Sequence, residues 1–337
     1  MNGASHHFAA DMAAHGLTPP QILADGRIHR FSTNGKKGDT AGGYVLHDDG
    51  RAGAGGAYWD WRTGLFATWG RRSTEQMSEH ERRLYAARMQ QARQQASRER
   101  AVSRQRNRER IAALWGVAQP SAEGDLVYRY LRGRGLKLDR LAEISTVLRL
   151  HPALEYWDFD EQGKPTMRGT YPAMLAAVQT EEPGLTPASS PLLHTVALHR
   201  TYLSPEGGKA DVPSPKKLSG AAGDLKGAAI RLGMPSLQHG PRAHRMLGVA
   251  EGIETALAAA EGAGLPVWAT VSASGMQSFR WPRPLHHLYI FADNDANETG
   301  QKAARELARK AMDHGITVRT LVPPTPGTDW ADVWQSR

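Results

Sequence analysis

The 337-residue chain contains no cysteine. That single absence excludes a disulfide framework, an iron–sulfur cluster, a thiolate-ligated zinc ribbon and a thiol nucleophile, and it fits a reducing compartment. Long apolar runs are also missing. No stretch approaches the ~18 residues that span a bilayer, and residues 1–17 lack a basic region followed by an apolar one. A cytoplasmic protein with no membrane partner is expected. Phosphate-loop motifs are absent too: Gly207-Gly208-Lys209 is followed by Ala210, and Gly35-Lys36-Lys37-Gly38 has neither the spacing nor the hydroxyl residue, so no ATPase motor is encoded. The pairs His6-His7 and His286-His287 lack a third partner at metal-ligand spacing and read as surface histidines.

What is present is basic charge, unevenly placed. Lysine and arginine number 42 against 34 acids, and residues 245–337 hold 9 of the former and 10 of the latter, so the excess lies upstream. Length and a 40% apolar content suggest two or three units with cores of their own. Residues 1–70 are expected to form a small β-rich domain, because short aromatic runs alternate with turn signals such as Asp49-Gly50 and Thr63-Gly64. Its Trp59, Trp61 and Trp69 lie among Arg27, Arg30, Lys36, Lys37 and Arg62, a mixture that could stack single-stranded DNA bases, although aromatics are more often the core of so small a sheet. Residues 71–112 read as a helical connector, since 71–110 contain 12 Arg and 5 Glu and no proline. Its apolar positions are too sparse for a buried stripe. Residues 113–240 form a basic α+β segment, with a helix over 128–138 stopped by a glycine, β-rich runs at 170–179 and 195–203, and a Gly/Pro/Lys-rich loop over 204–223.

Residues 241–337 have the clearest periodicity. Strands are expected at 246–250, 267–270, 288–292 and 316–321, with helices at 253–260 and 301–314 between them, the second stopped by Gly315. Alternation of this kind implies a doubly wound parallel sheet. Ligands to such sheets bind beyond the carboxyl ends of the strands. Glu251 follows the first strand, with Gly252 allowing a tight turn, and Asp293 and Asp295 follow the strand at 288–292. Asp329 and Asp332 extend the acidic rim after the Pro-rich turn at 323–326. Converging carboxylates repel one another unless cations neutralise them, and Mg²⁺ prefers such hard oxygen ligands.

These pieces carry a family resemblance. Val249-Ala250-Glu251-Gly252-Ile253-Glu254-Thr255-Ala256, Phe291-Ala292-Asp293-Asn294-Asp295 with Gly300, and Gly327-Thr328-Asp329-Trp330-Ala331-Asp332 resemble the Toprim domain of DnaG-type primases, topoisomerases and certain nucleases. The resemblance implies that Glu251, Asp293 and Asp295 are catalytic and metal-associated, with Asp329 and Asp332 as auxiliary ligands. The spacings Asp295 to Gly300 and Asp329 to Asp332 are wider than in replicative primases. Upstream, His199 to Leu203, Gly208-Lys209, Pro215-Lys216-Lys217 and Lys226 to Gly233 are similar to the basic region that precedes Toprim in primases of plasmids, integrative elements and satellite phages. This similarity implies nucleotide or template contacts from Arg200, Lys209, Lys216, Lys217, Lys226 and Arg231.

The function so implied is a DNA primase: with Mg²⁺ or Mn²⁺, two ions being expected, it joins ribonucleoside triphosphates on a single-stranded DNA template. Zinc is not expected, since the cysteine-ligated module of many primases cannot be built here. The chain ends just after the Toprim-like segment, so a helicase or relaxase would act in trans. The same acids could serve a metal-dependent nuclease, and the basic, aromatic first half alone could serve a non-catalytic single-strand-binding protein. A topoisomerase is disfavoured by length and by the lack of an assignable tyrosine nucleophile.

Overall fold

A computed structural model describes residues 3–35, 39, 41–48, 54–60, 63, 65–70, 78–139, 141–160, 164–180, 194–234, 236–238, 244–296 and 298–336. The chain divides into two compact units, residues 1–102 with 156–168, and residues 103–155 with 169–337. Among the described residues no helix is long and apolar enough to cross a membrane.

In the first unit a helix, α1 (Gly3–Ala14), covers an antiparallel sheet of β1 (His29–Phe31), β2 (Gly42–His47), β3 (Gly55–Asp60) and β4 (Leu65–Gly70), paired in sequence order. The sheet matches the expectation from its turns. The helix was not expected, because its buried apolar face is only Ala4, Phe8 and Met12, three residues four apart. Strand alternation divides the aromatics between two faces. Tyr44, Leu46 and Tyr58 pack with Phe8 and Met12 on one side. Val45, Ala57 and Trp59 pack on the other with Ala96 from α2 (Glu79–Val117). Trp59 is 0% exposed, which corrects its expected stacking role: its ring has no free face for a base. Trp69 is half-buried, edge-on to Phe8 at 5.5 Å. Trp61 lies outside the described residues.

The 39-residue α2 is largely exposed, as its composition implies, but starts and ends later than the expected connector. Its Ile111 and Trp115 are buried. Arg149 donates hydrogen bonds to the carbonyls of Trp115 and Ala118, satisfying acceptors that a helix end leaves open.

The second unit continues with β5 (Gln119–Pro120), α3 (Leu126–Gly133), α4 (Leu141–Ile144), β6 (Leu148–Phe159), β7 (Pro165–Gln179), β8 (Thr195–Tyr202), β9 (Lys216–Leu218), β10 (Ala229–Ile230) and β11 (Ser236–Gln238). It ends with β12 (His244–Ala250), α5 (Ile253–Ala263), β13 (Val267–Ala269), α6 (Ala273–Ser278), β14 (His287–Phe291), α7 (Thr299–Met312), β15 (Thr317–Leu321) and α8 (Trp330–Gln335). The outer ends of β6 and β7, residues 156–168, belong to the first unit. One sheet runs β15-β14-β12-β13-β10-β7-β6-β5, with β8 on β7, β9 on β8 and β11 on β12. β12, β13, β14 and β15 are mutually parallel where they pair, whereas β10 meets β13 and β7 antiparallel.

Helices α5 and α8 contact one another, as do α6 and α7, and a core of Leu247, Val249, Leu288, Ile290, Ala304 and Leu307 unites β12 and β14 with α7. The doubly wound sheet is therefore as expected. Helices α6 and α8, of six residues each, were too short to register as periodic. The loop expected over 204–223 contains β9, a three-residue strand on β8 that was also too short to show in the sequence.

Candidate active site

In the order β15-β14-β12-β13, β12 runs first to β13, and the chain then crosses back to β14 on its other side. The crevice of such a sheet opens where the connections diverge, beyond the carboxyl ends of β12 and β14. Glu251 is the residue after β12, and Asp293 lies two residues after β14. Gly252 caps α5 with φ −90°, an extended conformation open to any residue, so the tight turn expected of it is not what it provides.

The loop after β14 is tied to the last turn through Asn294. Its side-chain amide donates to the Pro323 carbonyl at 2.9 Å, its N–H donates to the Thr328 carbonyl at 3.1 Å, and its own carbonyl accepts from Gly327 at 2.7 Å. These bonds carry Asp329 to the same crevice. Asp329 and Asp332 also form a reciprocal cap on α8: the Asp332 N–H donates to Asp329 Oδ1 at 2.9 Å, and the Asp329 N–H to Asp332 Oδ2 at 3.1 Å. The two-residue gap between them is the spacing such a box requires. Asp332 Oδ1 lies 3.8 Å from Arg134, so Asp332 is engaged by the cap and by a cation, while Asp329 lines the crevice.

The result is a cavity of about 270 Å³ with Glu251, Asp293 and Asp329 among its acids and Arg134, Lys209 and Lys216 among its bases. Burial, then the charges of Asp329, Glu251, Asp295 and Asp332, push the Asp293 carboxyl up to about 7. Asp293 Oδ1 is fully buried and accepts no hydrogen bond. Burial, then Asp295, also raises Glu251, against a hydrogen bond from the Ala273 N–H. Asp295 is exposed but within Coulombic reach of both. Among the described residues no three His, Asp or Glu side chains form a self-sufficient metal cage. Mg²⁺ does not need one, since it takes one or two carboxylates and fills its shell with water and phosphate oxygens. The donor set, hard oxygens with one buried and unpartnered, fits such an ion.

In the same cavity wall, Lys216 Nζ stands 2.8 Å from both carboxylate oxygens of Glu254, and the Tyr130 hydroxyl donates to the same carboxylate. His199 is buried beside them, and burial, then the Lys216 charge, depresses its imidazole to about 4, so it is neutral at pH 7. Burial and Lys216 lower Lys209 as well.

Of the six expected phosphate contacts, Lys209 and Lys216 reach this cavity. Arg200 and Lys217 are cross-strand partners, and alternation along β8 and β9 turns them to the face opposite His199 and Lys216. Arg200 instead donates to the Leu218 carbonyl at 3.0 Å. Lys226 is exposed near Lys310, and the Arg231 guanidinium lies 5.1 Å from the Trp268 ring centre. Sequence reasoning gave no role to Tyr130, Arg134, His199 or Glu254. The first two are four apart along the chain around the end of α3, a helical spacing that was legible, while an acid in the first turn of α5 is indistinguishable from a residue that complements the helix dipole.

Residues 246–337 match the Toprim domain. Residues 105–232 match a domain of unknown function, DUF7146. No curated protein matches the sequence. Among solved structures, the chain is similar to a DNA primase domain from Pseudomonas aeruginosa (15% identity, TM-score 0.43, 68% of this chain and 74% of that one). It is similar also to a DnaG primase catalytic domain bound to single-stranded DNA (14%, 0.45, 70% and 78%). A third is the Aquifex aeolicus primase with its zinc-binding and RNA polymerase domains (12%, 0.39, 100% and 83%). The Toprim match spans every acid of the cavity wall described above, and the match to DUF7146 spans Arg134, Lys209 and Lys216.

Proposed function

We propose that the protein is a DNA primase, joining ribonucleoside triphosphates on single-stranded DNA with Mg²⁺ or Mn²⁺, in the replication or transfer of a mobile element. The observation that carries this reading is one cavity lined by both acids and bases, in which Asp293 Oδ1 is buried and unpartnered beside other carboxylates. Glu251, Asp293 and Asp295 would hold a pair of divalent ions, with Asp329 at the rim. Ions bound there would neutralise the triphosphate and favour ionisation of the attacking 3′-hydroxyl. Lys209, Lys216 and Arg134 bind and orient the phosphate tail by charge-assisted hydrogen bonds, Arg134 as a planar fork and the lysines as point charges. Glu251 would ligate metal or take the hydroxyl proton as the new bond to the α-phosphorus forms and pyrophosphate leaves. The basic excess upstream of residue 245 supports a polyanionic template.

The test is incubation of the protein with labelled single-stranded DNA, ribonucleotides and Mg²⁺ or Mn²⁺, beside an Asp295→Ala variant. Products that extend from ribonucleotides and vanish in the variant are expected. Labelled strands that shorten would replace the reading with a nuclease, and full activity in Asp295→Ala would remove the acidic cluster from the chemistry.

A further inference from the structure

Glu254 is a carboxylate with only 5% of its surface exposed, and nothing in the chemistry above employs it. Burial works against its charge, yet the Lys216 ammonium and hydrogen bonds from Lys216 and Tyr130 hold it well below the usual carboxylate range. It is therefore a buried anion, satisfied from two sides. Stability does not account for it: desolvation offsets most of what a buried ion pair gains, and apolar residues of similar volume often do as well. What the pair achieves is geometric. Lysine is a mobile point charge on a four-carbon stem, and an unheld one in this cavity would have Glu251, Asp293 and Asp329 as competing partners. Lys216 Nζ is instead anchored at 2.8 Å from both Glu254 oxygens, and Asp293 Oδ1 is left without a partner. Two of the three ammonium N–H groups suffice for Glu254, so one remains for a ligand.

Resting on the reading of this cavity as a triphosphate site, we infer that Glu254 is a positioning residue: with Tyr130 it fixes Lys216 in the cavity wall, where the remaining N–H meets a phosphate oxygen. The anchor has a second support in β9, whose pairing of Lys216 with Thr201 sets the direction from which the lysine enters. Helix α5 adds to it, since Glu254 sits in the first turn, where the helix dipole favours negative charge.

The experiment is calorimetric titration of the full chain with ATP and Mg²⁺, comparing unmodified protein with Glu254→Gln, Lys216→Met and the double variant. The expected result is a loss of affinity of about tenfold in each single variant, the scale of one charge-assisted hydrogen bond, with the double variant no weaker than Lys216→Met alone. Mn²⁺ affinity should be unchanged in Glu254→Gln, which a general collapse of the site would not permit. Unchanged or tighter ATP binding by Glu254→Gln, losses that multiply in the double variant, or a parallel loss of Mn²⁺ would each overturn the inference. Should Glu254→Gln fail to fold, Tyr130→Phe serves in its place: a loss of ATP affinity that disappears in the Lys216→Met background supports the inference, and unchanged affinity overturns it. A primer-extension assay on the same proteins separates this result from the wider reading. ATP binding with the expected pattern but no extension would remove the primase activity and leave Glu254's role standing, whereas extension with Glu254→Gln indistinguishable from the unmodified chain in ATP binding would do the reverse.

Discussion

At Asp293, burial and four neighbouring carboxylates act together against ionisation. The carboxyl titrates at about 7 in the folded chain against an ordinary value of 3.8, so between those values the folded state binds more protons than the unfolded one. In chelator, stability should fall as pH rises from about 4 to 7 and level off above that. Asp293→Asn removes the penalty. Thermal unfolding at pH 8 in chelator should show the variant more stable than the unmodified chain by up to about 4 kcal/mol, and the slope between pH 4 and 7 should diminish. Mn²⁺ should raise the melting temperature of the unmodified chain and have much less effect on Asp293→Asn. A variant less stable in chelator would mean that Asp293 is held by partners and is not waiting for a cation.

Among the elements, β9 decides which lysine faces the cavity. Adjacent residues on a strand face opposite ways, so Lys216→Met should weaken binding of ATP with Mg²⁺ by about tenfold while Lys217→Met leaves it within about twofold, measured by calorimetry. The reciprocal cap on α8 makes a second element-level prediction: Asp332→Ala should cost about 1 kcal/mol in denaturant unfolding. It should also reduce ATP affinity only modestly, because Arg134 is released without being removed. The same elements mark how far the sequence could be read. Strands β12, β14 and β15 and helices α5 and α7 were legible because each carries enough turns or alternations to show a period, and Gly315, at φ +76°, ends α7 where expected. Gly135, at φ +79°, likewise follows α3. The acids were legible because they sit at strand ends. The three-residue β9 was not, and without it Lys216 and Lys217 are equivalent. Nor was the fate of Trp59, since only α2 packing across the sheet distinguishes a core indole from an exposed one.

For the molecule as a whole, a net charge of +8 with its excess upstream of residue 245 implies that any single-stranded DNA complex is held largely by phosphate contacts. Affinity for an unstructured oligonucleotide should drop by about tenfold or more between 50 and 200 mM salt, with little dependence on base sequence, in a fluorescence-anisotropy titration. A salt-insensitive complex would point to stacking, for which Trp59 is unavailable. The match to the Toprim domain and the cavity within it meet in one physical statement: acids from separate parallel strands line one site, and the proposal is that cations balance their charge. The most direct measurement is anomalous diffraction from a crystal soaked in Mn²⁺, repeated for Asp293→Asn. The expected map has a manganese peak against Glu251 and Asp293 that is lost in the variant. A map with no peak between those carboxylates, or with the same peak in Asp293→Asn, would contradict the account.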